Sequence, residues 1–404
     1  MAQRLNADTA DHAGPTVPCP SCGAPARYVG RHRKTFERVL GPLTLDRASY
    51  HCPACDAGTC PRDRALGLEG TSLSPAVTRM VGAVGALVSV AEGEALLREL
   101  AAVAVDAQQV ERTAETLGVA IAADEQAVVV PDPPAAPTLY LGVDGTGLPM
   151  RAADLAGRAG KPPDGSATTR EVKLVTVWTA EGHDAEGTAV RDPGSVTYSA
   201  ALETAASPNA GAAFSPFAQR VDREAQRRGF DQAPRRVVLG DGAAWIWNLA
   251  DDLFPGAHQI VDLFHAKQHL ADVATAVYGP GTDLARQWTR WRHDERDAGR
   301  LRALCHALRA HIATHPEARH CWTYVTHPRA RMRYPTVRAQ GLCVSSGVVE
   351  AGCKVAIGTR LKRAGMHWTL AGADASIALR CCRLSGRFED FWERRSATAR
   401  REAA

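Results

Sequence analysis

Two short apolar runs each stop at Asp-Gly. They are Tyr140-Leu141-Gly142-Val143-Asp144-Gly145-Thr146-Gly147 and Val237-Val238-Leu239-Gly240-Asp241-Gly242-Ala243-Ala244-Trp245. An apolar run of this length predicts a buried strand, and the Asp-Gly after it predicts a turn. Each strand therefore ends in a carboxylate. A third acid, Glu350, lies in Ser346-Gly347-Val348-Val349-Glu350-Ala351-Gly352-Cys353-Lys354, within a basic stretch expected to be the helix 347–363. Each has a plain reading taken singly. Asp-Gly is a common hairpin signal, and Glu350 with Lys354 is an i,i+4 helix-surface pair.

A chain of 404 residues exceeds one ordinary core and predicts two or three domains. The longest apolar stretch, Val81 to Val90, is too short to span a bilayer and is interrupted by glycines and a serine. The segment Met1 to Val17 is polar and holds no signal-peptide core. A cytoplasmic protein with no membrane partner is expected. Charge is unevenly spread. Residues 281–404 carry a net +12 and the first 280 a net −8. A basic C-terminal third suits a phosphate backbone as partner, although an arginine-rich solvated surface would look the same.

Eleven cysteines in such a chain do not describe a disulfide framework. Cys19-Pro20-Ser21-Cys22 and Cys52-Pro53-Ala54-Cys55 are paired knuckles, each aiming two thiolates at one tetrahedral Zn²⁺. A zinc ribbon over 18–62 follows, with a hairpin between the knuckles. That hairpin is basic, and Arg31, Arg33 and Lys34 are its candidate DNA contacts. The alternative is a zinc staple with no partner, because a small ribbon needs its metal to fold. The six cysteines beyond Cys60 read as small buried hydrophobes.

Residues 1–17 read as a disordered tail and 72–122 as helices, starting at Ser74-Pro75. Glu94 to Ala101 and Ala107 to Leu117, with Asp106 as cap, describe either a helix-turn-helix or an ordinary bundle. Gln108, Gln109, Arg112 and Thr113 are the groove-facing candidates. The proline-dense Pro131 to Pro137 closes a linker, 123–137. Strands are then expected at Thr138–Val143, Leu148–Met150, Val172–Thr179, Arg235–Leu239 and Gln259–Leu263. Asp144-Gly145-Thr146-Gly147 is the turn between the first two, and Gly157 to Thr168 a loop. Helices follow at Ala243–Leu253 and His265–Val277. Three meandering strands followed by alternating strand and helix describe an α/β fold with an RNase H-like mixed sheet. Residues 281–335 read as a helical insertion in that domain, which spans 138–395, with 396–404 as a tail.

Carboxylates on adjacent strand ends hold two Mg²⁺ (or Mn²⁺) ions roughly 3.5–4 Å apart, an arrangement suited to in-line phosphodiester cleavage and strand transfer. Mg²⁺ favours such sites because it takes few carboxylates and keeps waters and phosphate oxygens. Asp144, Asp241 and Glu350 are thus the candidate catalytic and metal-binding residues. Asp262 and His265 are candidate supports beside them, or a buried polar pair fixing the fifth strand to its helix. Arg331, Arg333, Lys354, Arg360, Lys362 and Arg363 are candidate phosphate contacts. Of Trp245 and Trp247 at least one is expected in the core. Trp288 and Trp291, beside Arg290 and Arg292, are candidates for base stacking or for an insertion core.

Three long runs carry a resemblance. They are Gly240 to Ala250, Ile260-Val261-Asp262-Leu263-Phe264-His265-Ala266 and Ser346 to Lys354, with the tail Arg360 to Trp368. They resemble the ISKra-type DDE transposases of bacterial insertion sequences, over residues 138–395 and more loosely over the zinc ribbon. The resemblance implies an RNase H-like domain in which Asp144, Asp241 and Glu350 bind the metals. It also implies a helical insertion between the second Asp and the Glu, and Asp262-x₂-His265 resembles a shared D-x₂-H signature. The implied function is DNA transposition, with terminal inverted repeats and target DNA as partners and a homodimer or larger assembly on DNA. A structure-specific RNase H-like nuclease and a domesticated, non-catalytic zinc-ribbon DNA-binding protein are the rival readings.

Overall fold

The computed structural model describes residues 2–127, 136–157, 167–185, 187, 189–205, 214–327, 329–345 and 347–403. The expected linker prolines Pro131, Pro133 and Pro134, most of the expected loop 157–168, and Ser346 lie outside them. The chain divides into two compact units, Met1–Asp124 with Gly386–Ala404, and Glu125–Ser385. Among the described residues no helix is long and apolar enough to cross a membrane.

The first unit holds a four-stranded sheet in the order β1-β2-β3-β4: β1 (Thr16–Pro18), β2 (Pro25–Phe36), β3 (Leu43–His51) and β4 (Gly58–Thr59). The strands between the cysteine knuckles form the expected hairpin, with a bulge between Tyr28 and Gly30. Residues expected to be a disordered tail instead carry α1 (Ala2–Ala7). Asn6 bonds the backbone of Asp46 and Thr44, and Asp11 pairs with Arg31 and Arg62 at 3.0 and 3.2 Å. Short α2 (Pro61–Ala65) follows, then α3 (Pro75–Leu87), α4 (Val90–Ala101) and α5 (Ala107–Ala127). Ser74 caps α3, and Ser89 with Glu92 makes a full capping box on α4. Leu73, Val77, Val81, Leu97 and Val110 bury the apolar faces of these helices together.

The second unit is mixed α/β. Its five-stranded sheet comprises β5 (Thr138–Pro149), β6 (Thr169–Trp178), β9 (Thr197–Ala201), β10 (Arg235–Gly240) and β11 (His258–Val261), in the order β11-β10-β5-β6-β9. A small ribbon, β7 (Gly182–His183) with β8 (Ala189–Val190), lies outside it. The first three strands of the large sheet meander antiparallel, and β10 and β11 add parallel on the far side of β5. Leu139 to Leu141 and Val237 to Leu239 are fully buried, as strands covered on both faces require.

Three expectations are corrected here. Asp144-Gly145-Thr146-Gly147 is not a hairpin turn. β5 runs straight through it, with Asp144 opposite Leu174 and Gly147 opposite Glu171. Leu148 and Pro149 therefore end the first strand, Met150 makes an isolated bridge to Trp368, and no returning second strand forms there. The third strand, β9, and α6 (Pro216–Arg227) were not expected.

Helices α7 (Ala244–Leu253) and α8 (Leu263–Tyr278) follow β10 and β11. The expected helical insertion contains α9 (Asp283–Asp297), α10 (Leu301–Arg309) and α11 (Pro316–Thr326), followed by α12 (Tyr334–Ala339). Its Trp288, Leu304, Leu308 and Cys321 are buried in one hydrophobic cluster with the sheet. The expected helix 347–363 is three pieces: α13 (Gly347–Gly352), a π-helical segment Cys353–Gly358 and α14 (Thr359–Leu361). The wider π turn frees carbonyls from regular pairing, and the buried Arg380 donates to Val355 O at 2.6 Å. Arg380 belongs to α15 (Leu370–Leu384). The last helix, α16 (Phe388–Ala403), falls in the first unit, where Glu389 pairs with Arg79 at 2.6 Å. The expected domain end at 395 thus moves to 385, and the expected tail 396–404 is helical as far as Ala403.

Candidate metal centres and nucleic-acid interface

The cysteine cluster is closed by two like knuckles. In each, the first cysteine's carbonyl accepts from the residue four on: Gly23 N–H to Cys19 O, and Asp56 N–H to Cys52 O, both 2.9 Å. Gly23 and Asp56 both take positive φ, at 75° and 60°. The turn needs the left-handed region there, and Asp is among the residues that tolerate it. The four sulfurs of Cys19, Cys22, Cys52 and Cys55 lie within 4.8 Å of one another, with Cys19–Cys55 and Cys22–Cys52 each 3.6 Å apart. A tetrahedral Zn²⁺ with Zn–S bonds of about 2.3 Å separates its sulfurs by roughly 3.8 Å, so the cluster fits zinc. Backbone N–H groups of Ser21 and Cys22 draw the Cys19 thiol down to about 6. The Ala57 N–H acts in the same sense on Cys55, but the neighbouring sulfurs outweigh it and push that thiol up to about 12. Four thiolates this close need a cation to ionise together.

The acids of the second unit are positioned by strand register. β10 pairs β5 in parallel from Arg235↔Thr138 to Leu239↔Gly142. Continued two residues, that register sets Asp241 level with Asp144 on neighbouring chains. Val349, next to Glu350, meets the same strand: a Cβ on Gly142 would lie 2.0 Å from Val349 Cγ2. Gly352 makes a similar approach to Leu174 and Thr176 on β6. The helix that carries Glu350 is thereby seated across the strand that carries Asp144, and this close approach is what the two glycines permit.

Asp144 is half-buried. One carboxylate oxygen accepts the Gly145 N–H at 2.7 Å, and the Cys353 thiol lies near the carboxylate. Burial pushes the Asp144 carboxyl up, and the nearby Asp241 charge adds to this, against the Gly145 N–H and the Cys353 thiol. Burial likewise raises the Cys353 thiol, which stays a donor. Asp241 Oδ1 accepts the Ala243 N–H at 2.9 Å, which starts α7. Glu350 is exposed. Its oxygens do not close on those of both aspartates, since among the described residues only the four cysteines gather within 4.8 Å.

Asp262 is fully buried. Its Oδ1 caps α8 through the His265 N–H at 2.7 Å and meets His265 Nδ1 at 3.2 Å. That bond to Asp262 raises the His265 pKa despite partial burial, with Asp262, Asp241 and Asp144 charges adding. His265 thus lies within electrostatic reach of both candidate metal-binding aspartates. Sequence reasoning missed Tyr324, whose hydroxyl donates to Asp241 O at 2.6 Å, and His269, whose ring lies 4.2 Å from the Tyr324 ring. The one available signal was Gly242, which takes φ 105° under the Tyr324 ring.

The candidate DNA contacts divide. Arg33, Arg112, Arg333, Lys354, Lys362 and Arg363 are exposed, and Lys362 Nζ donates to Thr146 Oγ1 on β5. The other four are less exposed and engaged within the protein. Arg31 pairs with Asp11, Lys34 Nζ donates to Thr71 O at 2.8 Å, and Arg331 bonds Gln259 and lies 4.8 Å from the Trp247 ring centre. Arg360 is buried, 3 % exposed, beside the Trp368 ring, so it is a packing residue and no phosphate contact. Among the groove-facing candidates, Gln109 Nε2 is bound to Ser72 Oγ at 2.8 Å. Trp247 and Trp288 are core residues, whereas Trp291 is 52 % exposed. No family model and no curated protein matches this chain.

Proposed function

We propose that the protein is a DNA transposase that cleaves and joins DNA at the ends of an insertion sequence, on an RNase H-like domain. The observation that carries the reading is the parallel pairing of β10 with β5, which puts Asp241 just past the end of β10 beside the strand that carries Asp144, with the Glu350 helix seated on that strand through Gly142 and Val349. A three-strand meander extended by two parallel strands is the order an RNase H-like sheet requires.

Asp144, Asp241 and Glu350 would hold two Mg²⁺ or Mn²⁺ ions, which supply water activation and charge neutralisation at a phosphodiester. The donor set fits: all three are oxygen ligands, and two carboxylates whose charges oppose one another favour a cation between them. Glu350, exposed at the helix edge, is the ligand that would close on the site when metal and DNA are present. Lys354, Lys362 and Arg363 extend from the same segment and would bind backbone phosphates. His265, held by Asp262, lies within electrostatic reach of both aspartates, and their charges favour its protonated form. The zinc ribbon and the helices after it would read the terminal repeats, and synapsis of two ends calls for a dimer or larger assembly.

The test is incubation of wild type and Asp241→Ala with labelled duplex bearing the DNA that flanks the gene, with Mg²⁺ or Mn²⁺. Metal-dependent nicking and joining that vanish in the variant support the reading. Equal cleavage by both proteins overturns it. Cutting without joining selects a structure-specific nuclease, and binding without cutting selects a domesticated DNA-binding protein.

A further inference from the structure

The helical insertion sends three donors, the half-buried Tyr324 and the fully buried Tyr334 and Arg296, to the region where the two parallel strands end. Tyr324 on α11 donates its hydroxyl to Asp241 O at 2.6 Å, just past β10. Tyr334 on α12 donates to Val261 O at 3.1 Å, the last residue of β11. Arg296 on α9, fully buried, donates to Leu263 O at 2.7 Å, and its guanidinium lies 5.4 Å from the Tyr334 ring centre. The first two acceptors are main-chain carbonyls at the ends of β10 and β11, where ladder pairing stops and a buried C=O needs a partner, and the third belongs to the first residue of α8. The two strand ends are also tied to each other, since Asp262 N–H donates to Gly240 O at 2.8 Å.

Tyr324 is the donor that touches the candidate metal ligand's own residue. Its ring sits against Gly242: a Cβ there would lie 2.5 Å from Tyr324 Cε2. The positive φ of Gly242 lets the chain turn directly beneath the ring. On α8, His269 packs at a tilt against the ring, with centres 4.2 Å apart, and the His320 ring lies 5.1 Å from that of His269. The phenol is thus fixed in place on a rigid helix, and the Asp241 carbonyl is fixed by the phenol.

We infer that Tyr324 is a positioning residue for the metal site, the key contact of a clamp by which the insertion sets the direction of the Asp241 carboxylate. The insertion is then a structural part of the catalytic centre and not an appendage that only meets DNA. This rests on the proposed reading of Asp241 as a metal ligand. A carboxylate on a strand-end loop keeps its aim only if its supporting shell is held, and loss of one hydrogen bond of this kind changes an equilibrium by about three- to tenfold.

The test uses the full chain as wild type, Tyr324→Phe and Asp241→Ala. Mn²⁺ affinity is measured by electron paramagnetic resonance, and hydrogen–deuterium exchange is followed over residues 240–246. Tyr324→Phe keeps the ring and its packing, so a folded protein is expected, checked by its far-ultraviolet dichroism. The expected result is faster exchange in that segment and Mn²⁺ binding weakened about three- to tenfold, while Asp241→Ala loses the site. If wild type binds Mn²⁺, Asp241→Ala does not, and Tyr324→Phe matches wild type in both measurements, the clamp is wrong and the functional reading stands. If wild type and Asp241→Ala bind Mn²⁺ alike or not at all, the reading of Asp241 fails and the inference falls with it.

Discussion

Gly142 decides whether the candidate site can assemble. It lies two residues before Asp144, and Val349 occupies the space a side chain would need. Gly142→Ala forces strand and helix apart at a contact between two main elements. A loss of about 1–3 kcal/mol is expected, the range for overpacking a tight core, read from chemical denaturation of the second unit. A variant as stable as wild type would contradict the seating described. At His265, the linkage sign follows from the direction of its shift. Its folded pKa stands above the ordinary 6.5 because of Asp262. The protonated form therefore adds stability in full below about pH 6.5, and that contribution is lost as pH rises through the raised folded value. The melting temperature of metal-free wild type should fall over that window, and His265→Gln should flatten the fall. A slope unchanged by the substitution would move the effect to another group.

Element by element, the parallel pair was legible and the meander was not. Val237 to Leu239 and Leu139 to Leu141 are unbroken apolar runs, and such runs belong to strands covered on both faces. The Asp-Gly within β5 reads as a turn, yet the strand continues through it. Gly145 and Gly147 serve close approach instead: a Cβ at either position would crowd Glu171 or Thr169 on β6. β9, Thr-Tyr-Ser-Ala-Ala, lacks an apolar run because three of its residues are small and two polar-capable, so nothing in its pattern marked it. The π segment was invisible too, since its partner Arg380 is distant in the chain and supplies its bond from another helix. The knuckles were legible because zinc fixes both ligand type and spacing. Thiols must lose protons to bind the metal, so affinity should fall as pH drops from 8 to 6. Stripping zinc with a chelator should abolish protection of the β2–β3 backbone in hydrogen exchange, and Cys22→Ser should do the same. A ribbon that stays protected without metal would reduce the cluster to four neighbouring thiols.

For the whole molecule, charge and site coincide. Of the net +12 in residues 281–404, residues 281–385 hold +11, and with the −6 of residues 125–280 the unit that carries Asp144, Asp241 and Glu350 has a net +5. The Arg-rich stretch is not uniformly a surface for DNA, because Arg296, Arg360 and Arg380 are buried in structural bonds. Burial of this kind leaves no mark in composition, which is why Arg360 was expected on the surface. The exposed Lys354, Lys362 and Arg363 remain on the segment that brings Glu350 to the sheet. The account turns on whether three carboxylates from three separate elements form one cation site. The most direct measurement is a crystal of the full chain soaked in Mn²⁺, with an anomalous difference map collected at the manganese edge. Two peaks roughly 3.5–4 Å apart, shared by Asp144 and Asp241 with Glu350 on one of them, are the expected result. A map with no peak at these carboxylates would contradict it.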